Sequence, residues 1–478
     1  MDAHALENPP MTHAVSRHAD LLIVGGGLSG TLLAVQLLRQ PGVRHIVIVE
    51  PRAELGRGEA YSATELGHTL NGNAARMSVD PDNPCDLTQW LTAHIERGGW
   101  PESAEQSLPV AELFPPRGLF GLYVQQRLAE ARALGALEGS SVAHVRAEVH
   151  ALQMDADGVH ATLGDGQAWH ARQAVLATGM FPAARTALKQ AGGLNAAAVD
   201  PWDVSAMRSL KPMSHVLIIG SGLTMVDAVV SLDQAGHQGP ITVISRHGLW
   251  PQVRRQPPSW PDFLASVDPS CGPREVMAEV RRQCRQAVAR GVDWQAPLDT
   301  VRVHIARLWS QASERHKRQF VRHVRPWWES HHHRSPPPSA ALLEKLIAQG
   351  RLSILAACYQ RAEGTTLTIR RRGDATSTQL HGDVLINSSG IEYDWRRVDK
   401  PLPRQLLARG LVQPGPLALG IQADAAGAVI DAHGQAAQHL FAIGPPLRGI
   451  WWESTAVNDV AAQAKRLAVT LVERSSRV

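Results

Sequence analysis

Cysteine is scarce in this 478-residue chain: Cys85, Cys271, Cys284 and Cys358 are the only four, and no two are close in sequence. That excludes a disulfide scaffold, a CxxC redox pair and a cysteine-rich zinc site, and the four are expected to be buried small hydrophobes. Long apolar runs are also missing. None approaches the ~18 residues of a membrane span, so no membrane partner is expected. Residues 1–18 lack a basic start and an apolar stretch, which reads as a frayed tail on a cytoplasmic protein. Aromatic residues make up 5% and charged residues 19%, against 44% hydrophobic. This balance excludes wholesale disorder, and the length suits two or three domains. Net charge is low as well, at +4, but it is unevenly spread. From Arg281 to Arg334, twelve Arg and Lys residues face four acids, which gives +8 and leaves −4 for the rest. No nucleic-acid motif accompanies the basic region, so a polymer ligand is not expected.

Two segments share one pattern. Residues 20–30 read DLLIVGGGLSG and residues 215–225 read HVLIIGSGLTM; each leads into helical text and then a short β-rich run, HIVIVE at 45–50 and ITVIS at 241–245. Strand, tight turn, helix, strand, twice over, points to parallel strands buried on both faces. In Gly25-x-Gly27-x-x-Gly30 the glycines let the backbone turn sharply and approach a pyrophosphate, which rests on the amides at the helix start. Glu50 closes the next strand, placed to accept hydrogen bonds from a ribose. The second turn, Gly220-x-Gly222-x-Thr224-Met225, lacks the third glycine, which predicts looser helix–strand packing. Its second strand ends Ser245-Arg246-His247, a cation where NAD sites place an acid. That favours NADPH over NADH, with His247 assisting Arg246 at the adenosine phosphate. Further apolar strands end on small residues at 174–179 (through Gly179), 383–390 and 439–446.

The expected fold is α/β, with two Rossmann-like doubly wound dinucleotide-binding domains and a helical insertion in or after the second. The expected boundaries are 1–199 for the first part of one domain, 200–380 for the second, with its insertion at about 262–350, and 381–478 for the C-terminal part of the first. Helical spacing of Val276, Val280, Cys284 and Val288, and of Ile305, Leu308 and Ala312, supports the insertion. The prolines at 336–338 are expected to end it. Within it, Arg322, Arg325, His331, His333 and Arg334, with Trp327 and Trp328, suit either a carboxylate or phosphate pocket or a solvated basic face that docks NADPH. The consecutive histidines 331–333 would diverge from any element, so no metal site is expected.

Further motifs carry a resemblance. They are Gly56-Arg57-Gly58-Glu59-Ala60-Tyr61-Ser62, Leu70-Asn71, Ala74-Ala75-Arg76-Met77-Ser78, Pro116-Arg117, Gly121-x-Tyr123 and Asp200-Pro201-Trp202-Asp203. Later in the chain come Arg322-His323-x-Arg325-Pro326-Trp327-Trp328 and Gly444-Pro445-x-x-Arg448-Gly449-x-x-Trp452-Glu453-x-Thr455-Ala456-Val457. Over roughly residues 20–470 the chain resembles the FAD/NAD(P)-binding flavoproteins with two dinucleotide domains, near the class B flavin monooxygenases and amino-acid N-oxygenases.

The resemblance implies FAD and NADPH as cofactors. Gly25, Gly27, Gly30 and Glu50 would hold the adenosine diphosphate of FAD; Arg57, Tyr61, Asn71 and Met77 would lie along the flavin ring; Gly444 and the helix beginning near Thr455 would face its pyrimidine. Arg325, Trp328, His331, His333 and Trp452 are the catalytic candidates. The chain departs from the family at Asn458 and Asp459, where proline and glutamate are common, and at His332, where arginine is. It has no CxxxxC after the first unit, which disfavours a disulfide reductase, and no FxGxxxHxxx(W/P) run, which disfavours ketone-to-ester oxygenation. The implied activity is NADPH-driven oxygenation of a small, anionic or amino-acid-like metabolite by molecular oxygen through a flavin C4a-(hydro)peroxide. The alternatives are an NADPH:substrate oxidoreductase that does not use oxygen and a non-catalytic flavin-binding partner protein.

Overall fold

The computed structural model describes residues 17–100, 108–182, 198–268 and 270–475. Nearly all of the N-terminal segment read as a tail lies outside them. β1 (Arg17–Val24) runs into the first glycine turn, α1 (Leu28–Leu38) returns over the sheet, and β2 (His45–Val49) lies parallel to β1. After α2 (Asp86–Glu96) and α3 (Arg117–Leu137), β3 (Ser141–Val145) adds parallel to β2. β4 (Val149–Met154) and β5 (Val159–Leu163) form a hairpin whose second strand pairs with the start of β6 (Ala168–Leu176), and β6 lies parallel to β1.

Past the short β7 (Phe181–Pro182), a second sheet opens with β8 (Ala198–Val199), α4 (Val204–Arg208), β9 (Val216–Ile219), α5 (Leu223–Gln234) and β10 (Ile241–Ser245). Five helices follow: α6 (Pro273–Ala289), α7 (Gln295–Val301), α8 (Ile305–Gln311), α9 (Glu314–Gln319) and α10 (Arg325–His332). Then α11 (Pro337–Ala348), packed against α5, delivers the chain to β11 (Leu352–Glu363), parallel to β10. β12 (Thr366–Arg371) and β13 (Thr378–His381) extend that edge antiparallel, and β14 (Val384–Asn387) inserts between β9 and β8. β15 (Ile391–Glu392) pairs with β7. After α12 (Pro401–Ala408), β16 (Ala428–Ile430) and β17 (Ala436–Ala442) rejoin the first sheet, and α13 (Val457–Ser475) packs on α1.

The first sheet therefore has eight strands, with the order β16–β17–β6–β1–β2–β3 and the β4–β5 hairpin off β6; the second has seven, ordered β13–β12–β11–β10–β9–β14–β8. This is the α/β, doubly wound pair expected from the two glycine turns. Leu22 and Ile23 of β1 are both fully buried, on opposite faces, so the strand reads as a continuous apolar run. α1 is buried almost all round because the sheet, α3 and α13 enclose it; Leu32, Leu33 and Leu37 each contribute about 1.5–3 kcal/mol of burial.

Several expectations are corrected. The strand at 383–390, read with those that close the first sheet, belongs to the second, where it pairs with β9. An all-apolar strand carries no label for its sheet; β9's open edge decides. Met225, in place of the third glycine, is fully buried, and its side chain is part of the second unit's core. The proline run starts a helix rather than merely ending one: Pro337 opens α11, where a missing amide donor costs nothing. Val288 is exposed and the helix after Ile305 stops at Gln311, so both helical stripes are one residue shorter than their spacing suggests. Cys85 and Cys358 are exposed, and Cys271 and Cys284 only partly covered, so the cysteines are not core residues.

The insertion occupies the β10-to-β11 crossover and enters and leaves through a narrow neck. There Ser335 donates its amide to the Gln252 carbonyl (2.8 Å), and the Arg254 amide donates to the Ser335 carbonyl (2.8 Å). Among the described residues no helix is long and apolar enough to cross a membrane.

Candidate active site

The first turn sits at the carboxyl edge of the first sheet. Gly25 has φ +105°, and a Cβ there would lie 2.4 Å from the Ala177 carbonyl oxygen of the strand end next door. A Cβ on Gly30 would lie 2.0 Å from the Gly25 oxygen. Gly27 is less crowded: a Cβ there would make ordinary contact with the Gly58 Cα, at 3.4 Å. Two of the glycines thus serve close packing, and the third leaves a cradle at the α1 N-terminus. Glu50 is buried at the end of β2, where its carboxylate accepts from the amides of Gly26 (2.9 Å) and Arg52 (3.1 Å). Gly179 lies just past β6 on the same edge. Gly444 follows β17 with φ +75°, donates its amide to Gln463 Oε1 (3.1 Å), and a Cβ there would meet Ser29 Oγ at 2.4 Å. The starts of α1 and α13 therefore converge beside Gly444, with Thr455 two residues before α13.

Arg57 and Tyr61 border this cradle. Arg57 donates to the Gly118 carbonyl (3.2 Å), and Tyr61 packs on Phe120 at 4.7 Å between ring centroids, its hydroxyl pushed up to about 12 by burial. Asn71 and Met77 lie on the next loop, which is tied to the insertion. The Asn71 carbonyl accepts from Arg254 Nε (2.7 Å), and Arg76 and the buried Arg334 share Asp299 at 3.2 and 2.8 Å. Burial and neighbouring Arg334 push the Arg254 guanidinium down to about 10.

The second turn repeats the geometry with a different floor. Gly220 has φ +96°, and a Cβ there would lie 2.2 Å from the Ser388 oxygen after β14; Gly222 has nothing within 4 Å of such an atom. Thr224 is half-buried in the first turn of α5. Arg246 and His247 follow β10, and Arg372 approaches from the end of β12. Burial, then Arg246 and Arg372, hold the His247 imidazole below its usual value. Among the described residues neither arginine has an ion-pair partner.

The Arg/His block divides. Trp328, His331 and Trp452 line a chamber of about 560 Å³ in the insertion. Arg325 and His333 converge instead on Glu329, at 3.3 and 3.2 Å, joined by the buried Arg448 at 3.5 Å. Burial raises the Glu329 carboxyl, but His333, Arg448 and Arg325 outweigh it and hold it below the usual range. Arg448 lies 4.1 Å over the Trp452 ring, and Arg325 lies 5.7 Å from it. The three imidazoles diverge: His331 bonds the Trp327 carbonyl (2.8 Å), His332 stacks on Trp328 and faces Glu453 (3.8 Å), and His333 meets Glu329. The departures have partners too, since Asp459 pairs with Arg302 of the insertion (3.4 Å). Metal-ligand spacing occurs elsewhere, at Asp155 just after β4, His160 of β5 and His170 near the start of β6.

Residues 22–181 match a family model described as FAD-NAD(P)-binding. The fold is that of the Rossmann-type flavoproteins. Over 96% of this chain and 100% of the other, it superposes on the ornithine N-hydroxylase of Kutzneria sp. 744, solved with reduced FAD, NADP+ and L-ornithine, with TM-score 0.63 and 16% identity. The ornithine hydroxylase of Pseudomonas aeruginosa gives TM-score 0.60 and 15% identity over 96% of this chain and 99% of that one. A ubiquinone hydroxylase of Rhodospirillum rubrum is 32% identical over 195 residues, 39% of this chain. The match spans only 42% of that protein's length. The fold and the dinucleotide-binding segment thus agree with the resemblance read from the motifs.

Arg76, Arg254, Glu329, Arg372, Arg448 and Glu453 were not among the sequence candidates. Arg76, Arg448 and Glu453 stand inside quoted motifs, which was signal enough to include them. Glu329 stands four residues from both Arg325 and His333, a helical spacing that the sequence offers, whereas Arg254 and Arg372 reach the site only through tertiary packing.

Proposed function

We propose that this chain is an FAD-dependent, NADPH-consuming monooxygenase. The observation that carries the reading is the contrast between its two turns: both leave a glycine cradle at a helix N-terminus, but one ends on a buried carboxylate and the other on unpaired cations. A carboxylate such as Glu50 suits the ribose hydroxyls of FAD; Arg246, His247 and Arg372 suit the 2′-phosphate of NADPH. Bound there, FAD would accept hydride from NADPH and pass electrons to oxygen. Gly25, Gly27 and Gly30 shape its pyrophosphate cradle, and Arg57, Tyr61, Asn71 and Met77 border the ring. Gly179, Gly444 and Thr455 bring two strand ends and a second helix start to the same edge, where positive dipole ends favour negative charge on the ring. Gly220, Gly222 and Thr224 form the NADPH cradle. Trp328, His331 and Trp452 wall the substrate side and exclude water, while Arg325 and His333 hold Glu329 in place.

The similarity to two N-hydroxylases and a ubiquinone hydroxylase supports oxygenation. It leaves the small anionic or amino-acid-like substrate as one proposal. Against that substrate, Arg325, His333, Arg334 and Arg448 are already engaged by acids, and none of them lines the chamber. The proposed division keeps the FAD unit in two parts around the NADPH unit, with residues 198–199 and 383–390 assigned to the NADPH unit, whose sheet they join.

The test is an oxygen electrode with purified protein and added FAD. NADPH should bleach the flavin under nitrogen, and oxygen uptake should then keep step with NADPH consumption. Equal NADPH turnover under nitrogen with a bound acceptor would establish the oxygen-independent oxidoreductase instead, and failure to bleach would leave a flavin-binding partner.

A further inference from the structure

The chamber in the insertion is walled by five indoles, Trp294, Trp309, Trp327, Trp328 and Trp452, and floored by aliphatic residues such as Leu298, Ile305 and Leu308. At about 560 Å³ it falls in the range of pockets that enclose a drug-sized molecule. A small zwitterion would lose its hydration against such walls without gaining partners, whereas a ring system stacks on them. Three cations stand among the lining residues, all on α6 and α9. Arg281 and Arg285 are exposed one helical turn apart, and Lys317 Nζ lies 5.3 Å from the Trp309 ring centroid. Among the described residues none of the three has an ion-pair partner. Their neighbours Arg282 and Arg318, which do not line the chamber, are paired with Glu279 and Glu314. Trp452, whose ring lies 4.7 Å from that of Trp309, and Trp328 back onto Arg448–Glu329 and His332–Glu453, and Arg254, two residues beyond the lining Gln252, reaches Asn71.

We propose that this chamber binds an amphipathic carboxylate. Its apolar, ring-bearing body lies among the tryptophans, and its acid group meets Arg281, Arg285 and Lys317. The body then lies beside Trp452, which carries Arg448 at 4.1 Å from its ring. That this ligand is the substrate rests on the oxygenase reading above; that it binds does not.

The probe is 4-(1-pyrenyl)butyrate, titrated into the FAD-loaded protein and followed by quenching of tryptophan fluorescence, with pyrenylbutanol and L-ornithine as comparators. Saturable binding of one pyrenylbutyrate per chain is expected, with the alcohol about tenfold weaker for want of the charge-assisted bonds. Arg281→Glu with Arg285→Glu should weaken the acid about tenfold and leave the alcohol unchanged. Leu308→Arg should remove both, as should Ala312→Trp, which fills the chamber without adding charge; retained FAD checks the fold of each variant. Absent or non-saturable quenching, equal binding of acid and alcohol, insensitivity to these variants, or stronger binding of L-ornithine overturns the proposal. Flavin bleaching by NADPH is read on the same samples. Binding without bleaching sinks the oxygenase reading and keeps the chamber's ligand class; bleaching without binding does the reverse.

Discussion

Single atoms separate packing from ligand approach at the glycine turns. Gly30→Ala forces a Cβ to within 2.0 Å of the Gly25 oxygen, an overpacking worth about 1–3 kcal/mol, so the purified variant should carry little FAD and melt early. Gly222→Ala meets nothing within 4 Å and should leave the melting temperature alone while weakening NADPH, because the added methyl occupies the cradle. A variant that melts early at 222 would show that this glycine is structural. At the phosphate cluster, Arg246→Glu or Arg372→Glu should raise the KM for NADPH about 10- to 100-fold, from about 1.5–3 kcal/mol per charged hydrogen bond, with NADH hardly affected. Equal losses for both nucleotides would rule out a phosphate contact.

Two imidazoles give the molecule an acid limit. Burial, reinforced by His333 and nearby arginines, drives His332 well below its usual value, and burial likewise lowers His68. Both stay neutral in the folded chain, while the unfolded chain takes up their protons below about pH 6.5. The unfolded state then binds more protons, so stability is intact above that pH and falls beneath it, by up to about 1.4 kcal/mol per pH unit for each group. Melting curves between pH 7.5 and 5.5 should show that decline, and His332→Gln should flatten it.

At the scale of elements, the two units are joined through a buried ion pair. Arg117, opening α3, holds Asp227 of α5 at 2.7 Å, and His68 reaches Ser231 Oγ at 2.7 Å. Removing one partner strands a buried charge, so Asp227→Ala should cost about 3–5 kcal/mol in a denaturant titration, while the double change Arg117→Met with Asp227→Leu should recover much of it. The same scale shows what the sequence discloses. The glycine turns were legible because spacing, strand and helix are all local. The place of Val384–Asn387 was not, since parallel strands of the same apolar kind differ only in which edge is open. Nor was the chamber: its indoles come from the residue before α7, from α8 and α10, and from the loop before α13, and no period links them. Arg246 was visible from its position after a strand, but Arg372 arrives from 126 residues later, by the folding of β12 alongside β11.

Over the whole molecule, the uneven charge reads differently once placed. Five of the twelve basic residues between Arg281 and Arg334 pair with acids, and of those with no ion pair among the described residues Arg281, Arg285 and Lys317 line the chamber, while Arg246 and Arg372 stand unpaired at the second turn. Raising ionic strength, which shortens the screening length from ~10 Å at 0.1 M, should therefore raise the KM for NADPH severalfold while hardly moving that for NADH; parallel shifts would mean the cluster is not an anion site.

The neck at Gln252, Arg254 and Ser335 has one more implication. Because the chain leaves and rejoins the second unit through adjacent hydrogen-bonded segments, the part of the compartment that carries four of its five indoles is a cassette with its two cut ends already side by side. Exchanging residues 255–334 between homologous scaffolds would transplant ligand choice while leaving both nucleotide cradles where they are, so specificity and redox supply are free to diverge on separate schedules.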